Sequence, residues 1–209
     1  MTMKTSCSVF ARNAAIWCAA LLLTACQHVS KSIKDTFNTR PEEPFFSANR
    51  ESVARFVADE DALARAEQQL RELPQYRSRS INLYADIHFY DDGRIAAKLQ
   101  HPENMDYVDA YTYRQGKWSG PHPVQLSARE RLSDKMIALD SVPFRTAAAV
   151  IRNYNEKAAA IEGARQANHV YLIIHSGLTR WYPNRIDGAR ELWQISFRRD
   201  GSVTSFERL

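Results

Sequence analysis

The sequence predicts an α+β fold, with helices packed on one face of an antiparallel sheet and the elements ordered as two tandem helix-plus-meander halves. Three observations carry this. Two segments repeat apolar residues at helical spacing. Several short runs alternate apolar and polar residues. Asp-Gly and Gln-Gly steps fall between those runs where hairpins turn.

From Glu51 to Leu73 the apolar positions Val53, Phe56, Val57, Leu63, Ala66, Leu70 and Leu73 fall mostly at steps of three, four and seven, one face of a helix. Asn49 is the expected N-cap and Pro74 the stop. In "INLYADIHFYDDGRIAAKLQ", Leu83, Ala85, Ile87 and Phe89 share one strand face, and Tyr84, Asp86, His88 and Tyr90 the other. "DDGR" is the turn, because glycine adopts positive φ at low cost, and Ile95, Ala97 and Leu99 continue on the return strand. "YVDAYTYRQGKWSG" predicts a second hairpin, turning at Gln115-Gly116. Ser127 and Glu130 have capping-box spacing, which predicts a short helix. A second long helix follows. Ser141 is its expected cap and Pro143 its first turn; Phe144, Ala147, Ala148, Ile151, Tyr154, Ala158 and Ile161 form its apolar face, and Gly163 its stop. "HVYLIIHSGLTRWY" returns to strand, and "ELWQISFRRDGSVTSFERL" is a last hairpin turning at Asp200-Gly201, with Trp193, Ile195 and Phe197 facing the core.

The N-terminus has a different character. Lys4 and Arg12 precede "AAIWCAALLLTA", an apolar run well short of the ~20 residues that span a bilayer as a helix. Basic residues, a short apolar stretch and a small residue before a cut are the pattern of an export signal. Within it "LTAC" resembles the lipobox of bacterial lipoproteins, with Leu23, Ala25 and Cys26 in place. The resemblance implies that the Cys26 thiol receives a diacylglycerol, that residues 1–25 are removed as a signal peptide, and that the new N-terminus is acylated, for example with palmitate. Several chains hold a protein firmly where one does not. Gln27 stands where inner-membrane lipoproteins of enterobacteria carry Asp, so the resemblance implies the outer membrane, facing the periplasm. Residues 26–49, polar and holding Pro41 and Pro44, are the expected lipidated N-terminus and tether, with Phe45 and Phe46 packing where the tether meets the domain.

The α+β domain is expected over 50–209, with halves at 50–126 and 140–209. Their order of elements and their turns overlay better than their residues do. "ELWQISFRRDGSV", an aromatic-led strand with an Asp-Gly turn, resembles the PepSY-like periplasmic domains and the beta-lactamase inhibitory proteins, whose tandem helix-plus-meander layout matches 50–209. That likeness implies a binding or inhibitory scaffold and carries over no functional residue. Two such units joined edge to edge predict one sheet of six to eight strands.

The chain carries 28 basic and 24 acidic residues among 209, and without residues 1–25 the balance is 26 to 24. So small a surplus, scattered among acids, does not point to nucleic acid. Cys7 and Cys18 lie in the expected signal and Cys26 carries lipid, leaving the mature domain no thiol for a nucleophile, a disulfide or a metal. No nucleophile elbow, phosphate loop, dinucleotide fingerprint or H-E-x-x-H motif is present, so no catalytic residue, metal site or cofactor is assigned. His88 and His175 fall at matching places in the two halves, where a shared metal or proton site competes with ordinary strand histidines. Asp91 and Asp92 form a carboxylate pair in a turn that favours Asp for backbone reasons. Ser176 beside His175 points to the opposite strand face.

Arg180, Trp181 and Tyr182, with Arg185, are expected in a connection between strands, and Tyr111, Tyr113 and Trp118 on one hairpin. Trp, Tyr and Arg are enriched in interface hot spots, and aromatics also pair across strands with no ligand. The sequence therefore supports a non-enzymatic, lipid-anchored envelope protein that binds another envelope protein or a cell-wall component. An inhibitor or immunity-type lipoprotein is the alternative, and an envelope hydrolase the third reading. Replacing Cys26 with Ser should move the protein from the membrane pellet to the soluble fraction on cell fractionation; retention in the pellet would remove the lipobox reading.

Overall fold

The computed structural model of the chain describes residues 56–209. Cys26, the tether at 26–49, Phe45, Phe46 and the expected cap Asn49 lie outside the described residues. The fold is α+β, with two α-helices and ten strands among the described residues.

A single 3₁₀ turn at Phe56–Ala58 leads into α1, Glu60–Arg71. The break at Asp59 divides what the periodicity reads as one helix. The Asp59 carboxylate accepts the Ala62 N–H at 2.9 Å and so caps α1 itself. Leu63, Ala66 and Leu70 form the buried face. The meander β1 (Asn82–Tyr90), β2 (Ile95–Gln100), β3 (Val108–Arg114) and β4 (Lys117–Pro123) follows. Gln115 and Gly116 both have positive φ, the geometry that matches strand twist in a two-residue hairpin. Ser127–Glu130 forms a turn and no helix; Leu132–Lys135 and Leu139–Ser141 are 3₁₀ turns flanking the short strand β5, Met136–Ala138.

Helix α2 spans Thr146–Ala159. Its first N–H groups bond three residues back, to Pro143, Phe144 and Arg145. Ser141 does not cap it. The Phe144 N–H is instead met at 2.7 Å by Glu67 Oε2 from α1, whose Oε1 holds Arg71 at 2.7 Å. That contact is non-local, which is why spacing along the chain missed it. The predicted apolar face is otherwise correct: Phe144, Ala147, Ala148, Ile151, Tyr154, Ala158 and Ile161 are all buried.

The remaining strands are β6 (His169–His175), β7 (Leu178–Tyr182), β8 (Arg185–Asp187), β9 (Leu192–Phe197) and β10 (Val203–Arg208). The main sheet runs β4-β3-β2-β1-β6-β7, with β5 as its seventh strand beside β1. The two halves thus join through the antiparallel β1–β6 pair. The join stops at β7: β8, β9 and β10 form a separate three-stranded sheet, so the second meander is not continuous with the first. Pro183, with no N–H to donate, ends β7.

One face of the main sheet is closed by the two helices. Leu83, Ile87, Phe89, Tyr111, Leu172 and Trp181 meet α1 and α2 in one core. The small sheet packs on the far end of α2, where Ile186 and Ile195 meet Tyr154, Ala158 and Ile161. Of the expected core trio in β9, Ile195 is fully buried, while Trp193 and Phe197 are partly buried against that second core. Phe144 sits between Phe89 and Trp118, with ring centroids 5.3 and 6.2 Å away. Phe144→Ala should cost about 3–5 kcal/mol in a urea unfolding titration, the range for deleting a buried aromatic ring.

Candidate binding face

Among the described residues, both helices pack on one face of β1, β6 and β7, and strand parity sends alternate side chains to the other. Alternate residues Asp86, His88 and Tyr90 of β1 project there, with His169, Tyr171, Ile173 and His175 of β6 and Leu178, Arg180 and Tyr182 of β7. Register does the rest. Tyr90 is opposite His169, His88 opposite Tyr171, and Tyr171 opposite Tyr182.

Direct cross-strand neighbours lie ~5 Å apart, so their rings stack into a row. The Arg94 guanidinium lies 4.2 Å from the Tyr90 centroid. Tyr90 and His169 are 4.1 Å apart and 6° from parallel. His169 and His88 are 5.2 Å apart at 7°, His88 and Tyr171 4.9 Å at 12°, and Tyr171 and Tyr182 4.9 Å at 8°. Five rings and a guanidinium thus cross three strands.

Within the row, His88 Nδ1 and His169 Nε2 are 3.0 Å apart. A contact that short needs a proton between the nitrogens, so the two imidazoles cannot choose their tautomers independently. His88 Nε2 lies 3.4 Å from Asp86 Oδ1, and Lys98 Nζ donates to Asp86 Oδ2 at 2.7 Å. Burial alone would raise the Asp86 pKa; hydrogen bonds from His88 and Lys98 outweigh it and hold the carboxylate below its usual range. Burial, then the nearby charges of His88 and Arg94, lowers His169 to about 4. Among the described residues neither imidazole hydrogen-bonds a hydroxyl, and no group of three metal-ligating side chains is assembled.

The row ends in a groove. At Ala85 strand β1 changes partner, from β5 over Asn82–Tyr84 to β6 over Asp86–Tyr90. Ala85 takes φ of +62°, a conformation that costs a residue with a Cβ about 1–2 kcal/mol. The change opens a depression of about 280 Å³ bordered by Asp86, His88, Lys135, Tyr171, Ile173 and His175. A second, of about 410 Å³, runs on to the β7 edge between Ile173, His175, Leu178, Arg180 and Tyr182.

The sequence-predicted residues divide by face. Arg180 and Tyr182 lie on the open face and line the groove, within strand β7 and not in a loop as expected; Arg185 begins β8. Tyr111, Tyr113 and Trp181 are corrected to core residues, exposed by 1%, 6% and 1%. Trp118 packs against Tyr113 and donates its indole N–H to the Ala66 carbonyl of α1 at 2.8 Å. All four project toward the helices, so they serve packing. His88 and His175 border one depression, as their matching places suggest, but the nitrogen contact of His88 is with His169. Tyr84 does not join the row: it is buried, with its hydroxyl donating to Glu130 at 2.9 Å, and Glu130 in turn is held by Lys135 at the border of the groove. Asp92 is held by Arg94 in the turn, and Ser176 sits in the β6–β7 hairpin with φ of +52°. His169, Tyr171, Tyr90 and Arg94 were missed as site residues. Alternation along "HVYLIIH" is consistent with His169 and Tyr171 sharing a face, but nothing in one sequence gives the β1–β6 register that stacks them on β1.

Comparison with known protein families, with curated proteins and with solved structures finds no match to this chain.

Two groups make the stability of the domain pH-dependent, with opposite signs: His169 on the open face, and Asp91, whose carboxylate takes a hydrogen bond from the Val57 backbone. Below its ordinary value of 6.5, His169 takes its proton in the unfolded chain and only near 4 in the folded one, so stability falls as pH drops through that window. Asp91, raised by burial from 3.8 to about 6, binds its proton earlier in the folded chain and adds stability as pH falls through that range. Against wild type, His169→Phe should therefore gain urea resistance on going from about pH 7 to about pH 4.5, and Asp91→Asn should lose it.

Proposed function

We propose that this protein is a lipid-anchored lipoprotein of the bacterial envelope, held in the outer membrane through acylated Cys26. Its α+β domain would bind an envelope protein or a cell-wall component in the periplasm through the open face of the main sheet. The observation that carries the binding reading is the stacked row from Arg94 to Tyr182 on the face away from the helices. Aromatic rings held rigid by stacking lose little conformational entropy on contact, which favours their use as anchors. Exposed apolar side chains lie beside them, with Leu178 75% and Ile173 36% accessible. The anchor reading rests on Leu23–Cys26, and no described helix is long and apolar enough to cross a membrane. The imidazole pair is bonded to a carboxylate and to itself, and among the described residues neither ring hydrogen-bonds a hydroxyl, an arrangement suited to a rigid surface more than to an activated nucleophile.

Photo-crosslinking in intact cells tests which face is used. A photoreactive residue at Ile173, on the open face, should give a discrete adduct; one at Gln69, on the exposed side of α1, should not. Equal labelling from both positions, or none from Ile173, would contradict the assignment.

A further inference from the structure

The groove at the end of the ring row has a shape and a charge that narrow what it can hold. Tyr182 is the last ring of the row, on the last strand of the sheet path; Tyr171 covers one side of it, and no further ring among the described residues stacks on the other. A flat ring entering the groove would lie over Ile173 and Leu178, beside Tyr182 at the end of the row. Arg180 projects from the same strand face two residues away, about 7 Å along β7. It makes no ion pair among the described residues, and no acidic side chain is among those that line this depression. Asp86 is taken by Lys98 and His88, and Glu130 by Lys135 and Tyr84. The uncompensated charge in the groove is therefore positive. Ile173 and Leu178 give an apolar floor, while His175 and Tyr182 border it with hydrogen-bonding groups. A wholly apolar ring would leave those groups unpaired, and a hydroxylated ring would not.

The geometry points to this groove as a saccharide site, taking a sugar ring that bears a carboxylate, with the ring against Tyr182 and the carboxylate on Arg180. A guanidinium fork meets a carboxylate with two parallel hydrogen bonds, which makes Arg180 the specificity element and Tyr182 the platform. This assignment rests on the open-face reading above and names the ligand class within it.

The test titrates the full chain in detergent micelles with N-acetylmuramic acid, N-acetylglucosamine and lactate, followed by saturation-transfer NMR. The acidic sugar should bind at least about ten-fold more tightly than the neutral sugar or lactate alone. Arg180→Gln should erase that preference and leave neutral-sugar binding in place, whereas Tyr182→Ala should abolish both. Arg180 is exposed and outside the core, so its variant should unfold with the wild-type transition. Equal binding of the two sugars, no saturation transfer to either, lactate matching the acidic sugar, or a preference surviving Arg180→Gln would each overturn the site. Loss of sugar binding with the Ile173 adduct intact would remove the saccharide alone; loss of both would remove the open-face reading beneath it.

Discussion

The pairing of β1 with β6 is the constraint on which the rest of the domain depends. It joins the two halves into one sheet, and its register, Asp86 opposite Ile173 through Tyr90 opposite His169, decides what each face carries. With this register Ile87, Phe89, Val170 and Leu172 enter the helix-covered core, and His88, Tyr90, His169 and Tyr171 form the row outside. A slip of one residue would exchange the sets, exposing large apolar side chains and burying two imidazoles. The β1–β5 pair and the positive φ at Ala85 adjust to this register: the strand must bulge where its neighbour changes, and the groove opens at that place.

Much of the fold was legible because its signals are local. Helical spacing marked both buried helix faces, and Gln115-Gly116, Asp91–Gly93 and Asp200-Gly201 marked three turns. The errors fall where a distant residue decides. Ser141 reads as a helix cap, but Glu67 of α1 reaches the Phe144 N–H first. Val53 to Leu73 reads as one helix, but Asp59 offers its carboxylate to Ala62 and starts a new one. The second meander looked able to extend the main sheet, yet β8–β10 form their own sheet, with Ile186 and Ile195 buried against the far end of α2.

The site was less legible, for a physical reason. Composition in "LTRWY" suggests an interface, but period-two alternation alone assigns Trp181 and Tyr182 to opposite faces without saying which is covered. The helices settle it, placing Trp181 in the core and Tyr182 in the groove. A row running across strands has members far apart in sequence: His88 and His169 are separated by 81 positions. His175 matched His88 by place in its half, whereas antiparallel pairing puts the other end of β6 beside His88.

Sequence and fold lead to a coherent picture: a domain with one face consumed by its helices and the other stiffened by stacked rings and, among the described residues, covered by no helix. The stiffness comes from the short imidazole contact and from Asp86, which Lys98 keeps ionised beside it. The most direct measurement is the nitrogen–nitrogen scalar coupling across the His88–His169 hydrogen bond, in protein labelled with ¹⁵N histidine. The β1–β6 register described here predicts a coupling between His88 Nδ1 and His169 Nε2 that disappears in His169→Phe. Two uncoupled imidazoles, each exchanging its proton with water, would contradict that register and the open face built on it.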